Sequence, residues 1–379
     1  MKKILVINTK YRTQGGEDTN IGEEVKFLKK FYRVEVIEFS NKNKLSANDI
    51  LGLFFSNITT SNNELAKKIE IFKPDFAYVH NTWFRGNLGL FNILKEKNIN
   101  TVLKIHNFRY ICTNTFKFKT HLNNNNSCPM RGIKYKKYKY FNKYFEDSYI
   151  KSLIVNLYGT MYLKILKNSN FKIAVLNSFH EEKMKSLGIS EERIFKIYNP
   201  SKISKVSTYN PHNNYAVYAG YLSDSKGVLE LINAWNRSAT KIQLYIFGNG
   251  PLEKKINGNF YKNIKIFGYK NNDEILEYIK NALAVITATK MYEGQPRILC
   301  EASGYGVPSI FPRYGGMQEY FPENYDLSFE QYNYDDLVGK ILKLELKENL
   351  KKISEELFTY NKALLDDQNL QNQFKKVFV

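Results

Sequence analysis

Short apolar runs alternate with longer helical stretches along this chain, and the series is written out twice. The first set is K-I-L-V-I-N from Lys3, R-V-E-V-I-E-F from Arg33, D-F-A-Y-V-H from Asp75, T-V-L-K-I-H from Thr101 and F-K-I-A-V-L-N from Phe171. The second is Y-A-V-Y-A-G from Tyr215, I-Q-L-Y-I-F-G from Ile242, I-K-I-F-G from Ile264 and A-V-I-T-A-T from Ala284. Apolar strands spaced by helices are the pattern of α/β units around a parallel sheet. A polar, turn-rich stretch from Asn199 to Asn214, with Pro200 and Pro211, separates the sets and reads as a linker. The expectation is two Rossmann-like, doubly wound domains, residues 1–198 and 199–345, with a helical segment at 346–379. Such sheets bind ligands outside the carboxyl ends of their strands.

Composition narrows the function classes. A chain of 379 residues with 43% hydrophobic content can bury a core in each of two domains. No apolar run approaches the length of a membrane span. The opening M-K-K-I-L-V-I-N reads as the first strand and not as a leader. Cys112, Cys128 and Cys300 are too few for a disulfide framework and lack the close pairing of a zinc site, which suits a reducing cytoplasm. The net charge of +19 accompanies an excess of Lys, Asn, Ile, Tyr and Phe, the residues of A/T-rich codons, so composition bias explains much of it. No nucleic-acid-binding motif accompanies the charge, and nucleic acid is not an expected partner.

E-G-Q-P-R-I-L-C-E at 293–301 follows a buried-strand run. Gly294 and Pro296 break that strand, Pro suits a helix's first turn, and the apolar residues from Ile298 continue as a helix. Two carboxylates thus flank a strand-to-helix turn whose N–H groups and helix dipole favour an anion. With A-S-G-Y-G-V-P and P-R-Y-G-G-M-Q-E downstream, this stretch resembles the E-x7-E signature of the retaining glycosyltransferases of family 4, built on the GT-B fold. The resemblance covers essentially the whole chain. It implies two Rossmann-like domains facing a central cleft and a last helix that crosses back to the first domain. Leu346–Phe378 is the candidate, although its Lys-rich composition equally suits a solvated terminal helix.

The second half carries further matching elements. Y-A-G-Y-L-S-D-S-K-G at 218–227 is similar to the family's G-R-L-x-x-x-K-G element, whose cations hold the donor diphosphate. Lys226 matches, Gly220 lets backbone approach the ligand, and Tyr221 stands where the family carries arginine. Half of the usual cationic clamp is therefore missing or left to Arg297. I-F-G-N-G-P-L at 246–252 resembles the loop under the base, with Phe267, Gly268 and Tyr269 near it. As the resemblance implies, Lys226 and the backbone N–H groups of Gly294, Gln295 and Arg297 steady the leaving diphosphate, where charge develops as the glycosidic bond breaks, with Pro296, which has no N–H, part of the same donor-binding turn. Glu301 then holds the ribose and Glu293 the donor sugar, neither acting as a nucleophile. No D-x-D sequence occurs, so metal-independent chemistry without a further cofactor is expected. Uridine is the favoured base of the donor and guanosine the alternative.

In the first half, N-T-K-Y-R-T-Q-G-G-E-D places Gly15 and Gly16 where backbone amides face a diphosphate, with Glu17 and Asp18 as candidate acceptor contacts. K-I-H-N-F-R-Y-I-C resembles the H-N-x-R variant of bacterial polysaccharide members, which makes His106 a candidate contact for the transferred sugar or phosphate and Arg109 one for anionic acceptor groups. His80 and Trp83, in Y-V-H-N-T-W-F, are candidates to line an acceptor groove. The segment 133–166 interleaves lysines with aromatics and then turns amphipathic, a composition that meets anionic lipid at a membrane interface or simply covers apolar surface. The resulting expectation is a sugar transferase acting on a glycan or lipid-linked acceptor in bacterial surface polysaccharide assembly, such as lipopolysaccharide or capsule, at the cytoplasmic face of the membrane. Two alternatives stay open: a sugar-nucleotide epimerase of the same fold, and a catalytically silent glycan- or membrane-binding protein.

Overall fold

The structure is a computed structural model, and it describes residues 1–11, 16–41, 60–113, 145, 148–210, 213–258 and 261–379. Gly15, Cys128, Pro211 and residues 133–144 of the basic aromatic segment lie outside the described residues. The chain forms two compact units, Met1–Pro200 with Leu370–Val379, and Ser201–Asn369.

In the first unit, β1 (Lys3–Lys10), β2 (Arg33–Ser40), β3 (Phe76–Val79), β4 (Asn100–Lys104), β5 (Lys172–Val175) and β6 (Ile194–Lys196) form one sheet in the order β2-β1-β3-β4-β5-β6. Every pairing is parallel, as in Ile4 opposite Phe76 and Val79 opposite Leu103. Ile4 to Ile7 and Phe76 to Val79 are buried throughout, the consequence of covering both faces of a parallel sheet. The described helices of this unit begin with α1 (Gly16–Leu28), α2 (Thr60–Phe72) and α3 (Leu90–Glu96). They continue with α4 (Tyr149–Asn168), capped by Ser148, and α5 (Ser178–Ser186), capped by Asn177.

The second unit repeats the plan with β7 (Tyr215–Ala219), β8 (Gln243–Phe247), β9 (Ile264–Gly268), β10 (Ala284–Ile286), β11 (Ser309–Arg313) and β12 (Ser328–Glu330). Their order β12-β11-β10-β7-β8-β9 is the doubly wound arrangement of a dinucleotide-binding sheet. The intervening helices are α6 (Val228–Ser238), α7 (Glu253–Asn257), α8 (Asn272–Lys280), α9 (Arg297–Ser303), α10 (Tyr334–Lys343) and α11 (Lys347–Leu364).

The terminal segment is two helices and not one. Leu365 and Asp366 separate α11 from α12 (Asp367–Val377), and residues from Leu370 onward join the first unit. There Phe374 packs near Phe27 and Tyr78, while Phe378 meets Phe76 edge-on at 5.4 Å. Lys2 and Lys172 donate to the Phe378 and Val377 carbonyls at 2.8 and 2.7 Å, which satisfies two of the acceptors left open at this helix end. Among the described residues, no helix is long and apolar enough to cross a membrane.

Candidate active site

The second sheet changes winding direction between β7 and β10, and the loops that leave those two strands carry the signature residues. After β7 the chain passes Gly220 and Tyr221 into a short 3-10 turn, Asp224–Lys226, and Gly227 then takes the left-handed conformation at φ 65° before α6. A Cβ there would collide with the carbonyl oxygen of Ala288, so glycine lets the two loops meet backbone to backbone. Gly248, at φ 135°, allows the same close approach to the Gly220 carbonyl.

This contact brings Lys226 Nζ to 2.6 Å from Glu293 Oε1, and Thr289 Oγ1 donates to the same oxygen at 3.0 Å. The pair keeps partial access to solvent, with the Lys226 side chain 30% and the Glu293 side chain 22% exposed. An ammonium has three N–H donors, so Lys226 can hold Glu293 and still donate to an anion. Tyr221 is 55% exposed, and its carbonyl accepts from the Tyr218 hydroxyl at 3.2 Å.

Glu301 sits on α9 and is buried. Arg297 donates to its Oε1 through Nε and Nη2, both at 2.9 Å, and Asn272 Nδ2 lies 3.3 Å from the same atom. Oε2 is buried and has no protein partner among the described residues, which leaves one acceptor for a bound group. Arg297 uses two of its five N–H donors on Glu301, and that carboxylate offsets its charge. Gly294, Gln295 and Pro296 are buried in the turn before α9, and Gln295 Nε2 donates to Ser201 Oγ at 3.2 Å.

The first unit presents a different site at its own change of winding, between β1 and β3. His80 follows β3 and His106 follows β4 by two residues; His80 Nδ1 and His106 Nε2 lie 2.8 Å apart in hydrogen-bond contact. Burial pushes both imidazoles well below their ordinary range, and Lys104 acts on each in the same direction. Lys104 is itself enclosed. Its ammonium meets Glu24 Oε1 at 3.0 Å and donates to the Ile197 carbonyl at 2.9 Å, and the Tyr78 hydroxyl donates to Glu24 at 2.7 Å. Glu24, His80 and His106 each bring a ligand-type atom within 4.8 Å of the others, but the positive charge beside Glu24 is already the Lys104 ammonium.

Glu17 and Asp18 lie in the first turn of α1, beyond the exposed Gly16. Glu17 accepts from the Tyr11 hydroxyl at 3.1 Å and Asn107 Nδ2 at 3.2 Å; burial pushes its carboxyl up while Arg109 opposes that. The Arg109 guanidinium lies over both Tyr11, at 5.1 Å, and Trp83, at 5.3 Å.

Two expectations need correction here. Trp83 offers no open face to a sugar, because it is buried with its ring 4.7 Å from that of Tyr158. His80 likewise lines no groove; it is enclosed between Tyr78 and His106. The cavity that Glu17, His80, Trp83, His106 and Asn107 share holds about 20 Å³, room for one water and not for a sugar ring. Sequence reading also passed over Thr289, Asn272 and the Lys104–Glu24–Tyr78 cluster. Lys104 did leave a signal, as a charge inside an otherwise apolar strand requires a buried partner.

Comparison with known proteins agrees with this architecture. Residues 200–361 match the family model for glycosyl transferases group 1, which takes in most of the second unit. A lipopolysaccharide 1,6-galactosyltransferase of Salmonella typhimurium is 27% identical over 154 residues, 38% of this chain and 42% of that enzyme, so the match spans less than half of the relative's length. Among solved structures, the apo form of the lipopolysaccharide outer core galactosyltransferase WaaB superposes with a TM-score of 0.64 at 18% identity, covering 98% of this chain and 99% of that one. HepE of Anabaena, solved with UDP-glucose, gives 0.69 at 13% identity over 100% and 99%. At these identities the likeness establishes the fold: two parallel-sheet Rossmann-like domains of the GT-B class.

Proposed function

We propose that this chain is a retaining glycosyltransferase of the family-4 type, which moves a sugar from a nucleoside diphosphate donor to a glycan or lipid-linked acceptor in surface polysaccharide assembly. The observation that carries the reading is the Lys226–Glu293 pair where the second sheet changes winding, with Glu301 on the helix that follows keeping one buried oxygen without a protein partner among the described residues. Lys226 is suited to neutralise the departing diphosphate, Glu293 to hold the donor sugar's hydroxyls, and Glu301 Oε2 to accept from a ribose hydroxyl. In a retaining reaction of this kind the acceptor hydroxyl attacks the face the diphosphate leaves, and its proton passes to the leaving phosphate oxygen. Such a step needs no protein nucleophile and no metal. The group 1 match, the galactosyltransferase relative and the UDP-glucose complex of a protein of the same fold all support sugar transfer from a nucleotide donor, with uridine as the favoured base.

Peripheral membrane contact belongs to the same proposal. Tyr149, Ile150 and Leu153 are exposed at the start of α4, with Ile150 72% accessible beside Lys151. This is the described end of the basic aromatic segment, and such residues suit the headgroup region of an anionic bilayer at the cytoplasmic face.

Thermal melting with UDP, GDP, ADP and CMP tests the donor site. A nucleotide at a hundred times its dissociation constant adds about 2.7 kcal/mol of stability. Stabilisation by one nucleotide, lost in Lys226→Ala and Glu301→Ala, is the expected result. Indifference to all four would overturn the proposal. Turnover of the matching sugar nucleotide only when an acceptor is present then separates transfer from epimerisation.

A further inference from the structure

Thr289, buried where the chain leaves β10, stands four residues before Glu293. A threonine hydroxyl both donates and accepts, and here each role has one partner. Oγ1 accepts from the Met291 N–H at 3.3 Å and donates to Glu293 Oε1 at 3.0 Å. The direction is fixed, since a carboxylate paired with an ammonium only accepts. Lys226 Nζ meets the same oxygen at 2.6 Å. Both bonds fall on Oε1, which leaves Oε2 for a ligand.

An arriving anion affects the two donors differently. Lys226 is partly exposed, and a partly solvated ion pair is weak and exchanges partners readily. A diphosphate that draws on this ammonium loosens its hold on Glu293. The Thr289 hydroxyl carries no charge for the anion to attract, and it is shut away from water, where a hydrogen bond to a charged group is strong. The loop itself is fastened without that hydroxyl. Gln331 Nε2 donates to the Thr289 carbonyl at 3.1 Å, and the N–H groups of Thr287 and Lys290 donate to the Ile310 and Ser225 carbonyls, both at 2.9 Å. The turn after β11 closes on the Glu293 backbone from another side, because a Cβ at Gly315 would lie 3.2 Å from the Glu293 nitrogen. These contacts set the backbone, and the hydroxyl sets the carboxylate.

We propose that Thr289 is a positioning residue: its hydroxyl holds Glu293 through Oε1 when Lys226 turns to a diphosphate, and so keeps Oε2 presented to a hydroxyl of the donor sugar. The sugar contact rests on the glycosyl-transfer reading, whereas the hold on Glu293 is a property of the chain by itself.

Crystal structures of the full-length protein without nucleotide test the hold. Lys226→Ala imitates a lysine drawn away, and the Glu293 carboxylate is expected to stay on Thr289. Adding Thr289→Val keeps the buried shape and removes the hydroxyl, so the carboxylate is expected to turn away while the loop backbone stays in place. A carboxylate that leaves Thr289 in Lys226→Ala, or that keeps its position in the double variant, would overturn the proposal. Should Thr289→Val fail to fold, Thr289→Ala removes the same hydroxyl with less bulk. With Lys226 intact, release of UDP from UDP-glucose and UDP-galactose tests the sugar contact, or release of GDP from GDP-mannose where melting selects guanosine. Thr289→Val is expected to lower kcat about tenfold, with inhibition by the free nucleoside diphosphate within about twofold of wild type, because that product brings no sugar to Glu293. Thr289→Ser is expected to recover most of the rate. An unchanged kcat, or nucleotide inhibition weakened as much as kcat, would overturn the positioning role. Glu293 held by Thr289 in a protein that turns over no sugar nucleotide would sustain the hold and sink the glycosyl-transfer reading alone.

Discussion

The two sheets place their polar groups in opposite ways at the same topological position. In the second unit, Lys226 and Glu293 meet in partial contact with solvent, and Glu301 keeps one oxygen without a protein partner among the described residues. In the first unit, Lys104 and Glu24 pair with no exposure at all, and the two histidines above them are held neutral by burial. The physical difference is what each arrangement can do next. A partly solvated ion pair is worth little in itself and can reorganise around an arriving anion at small cost. A pair removed from water is fixed, because leaving either charge alone there is expensive. The second site is therefore built to take up charge, and the first to present neutral hydrogen-bonding groups in fixed positions.

The largest expected effect follows from that contrast. Lys104→Met leaves the Glu24 carboxylate buried without its cation and is expected to cost about 3–5 kcal/mol in urea unfolding. Adding Glu24→Gln is expected to return much of that stability. A Lys104→Met protein as stable as wild type would mean that the enclosed pair is not what holds α1 to β4. Lys226→Ala should behave in the reverse sense. We expect kcat for sugar transfer to fall about 10²- to 10³-fold, as when an oxyanion-stabilising donor is lost, while unfolding stability changes by less than about 1 kcal/mol. A large stability loss with near-normal turnover would erase the distinction between the two sites.

The parts of this design that show in sequence are those with a local pattern. Buried parallel strands write themselves as apolar runs, so β1, β3, β5, β7, β8 and β10 were readable, and Glu293 to Glu301 carried its own turn chemistry. Three strands were not readable. β6 and β12 are three residues long, and β11 contains Pro312, which pairs with Phe329 of β12 but argues against a strand in sequence. What joins distant segments was equally hidden. Lys104 and Glu24 are 80 positions apart, His80 and His106 26, and Asn272 and Glu301 29. A spacing rule sees none of these, because the sheet and not the chain makes them neighbours. Trp83 was misjudged for the same reason: its place against Tyr158 of α4 depends on a helix that comes much later in the chain.

The next effect sharpens the claim that the first unit keeps its imidazoles neutral. His180, on α5, stacks on Phe108 at 4.2 Å and is fully buried; that burial lowers its pKa from 6.5 to about 3. Between those values the unfolded chain binds a proton that the folded chain does not, so stability falls as pH falls across this window. The slope is about 1.4 kcal/mol per pH unit for this one group. His180→Phe keeps an aromatic ring on Phe108 and removes the proton uptake, so its stability between pH 6 and 4 should decline less steeply than wild type by about that amount. Parallel curves would show that His180 is solvated or already charged in the folded chain.

The smallest effect concerns the charge that the second site lacks. Tyr221 is exposed and brings no charge to this loop, and Arg297 is paired with Glu301. In the proposed function Lys226 is the cation that meets the diphosphate on this loop, and its pairing with Glu293 offsets part of its charge. Tyr221→Arg adds a guanidinium in water, where a single ion pair is worth about 0.2–1 kcal/mol, or up to about fivefold in affinity. Calorimetric titration with UDP should thus show tighter binding by a few-fold at low salt, shrinking as ionic strength rises and screening sets in. A gain that persists in high salt would mean that residue 221 closes over the ligand and becomes buried on binding. No gain at any salt would mean that the diphosphate does not lie along this loop, and the second sheet's charged junction would then have to be read as a site for some other anion.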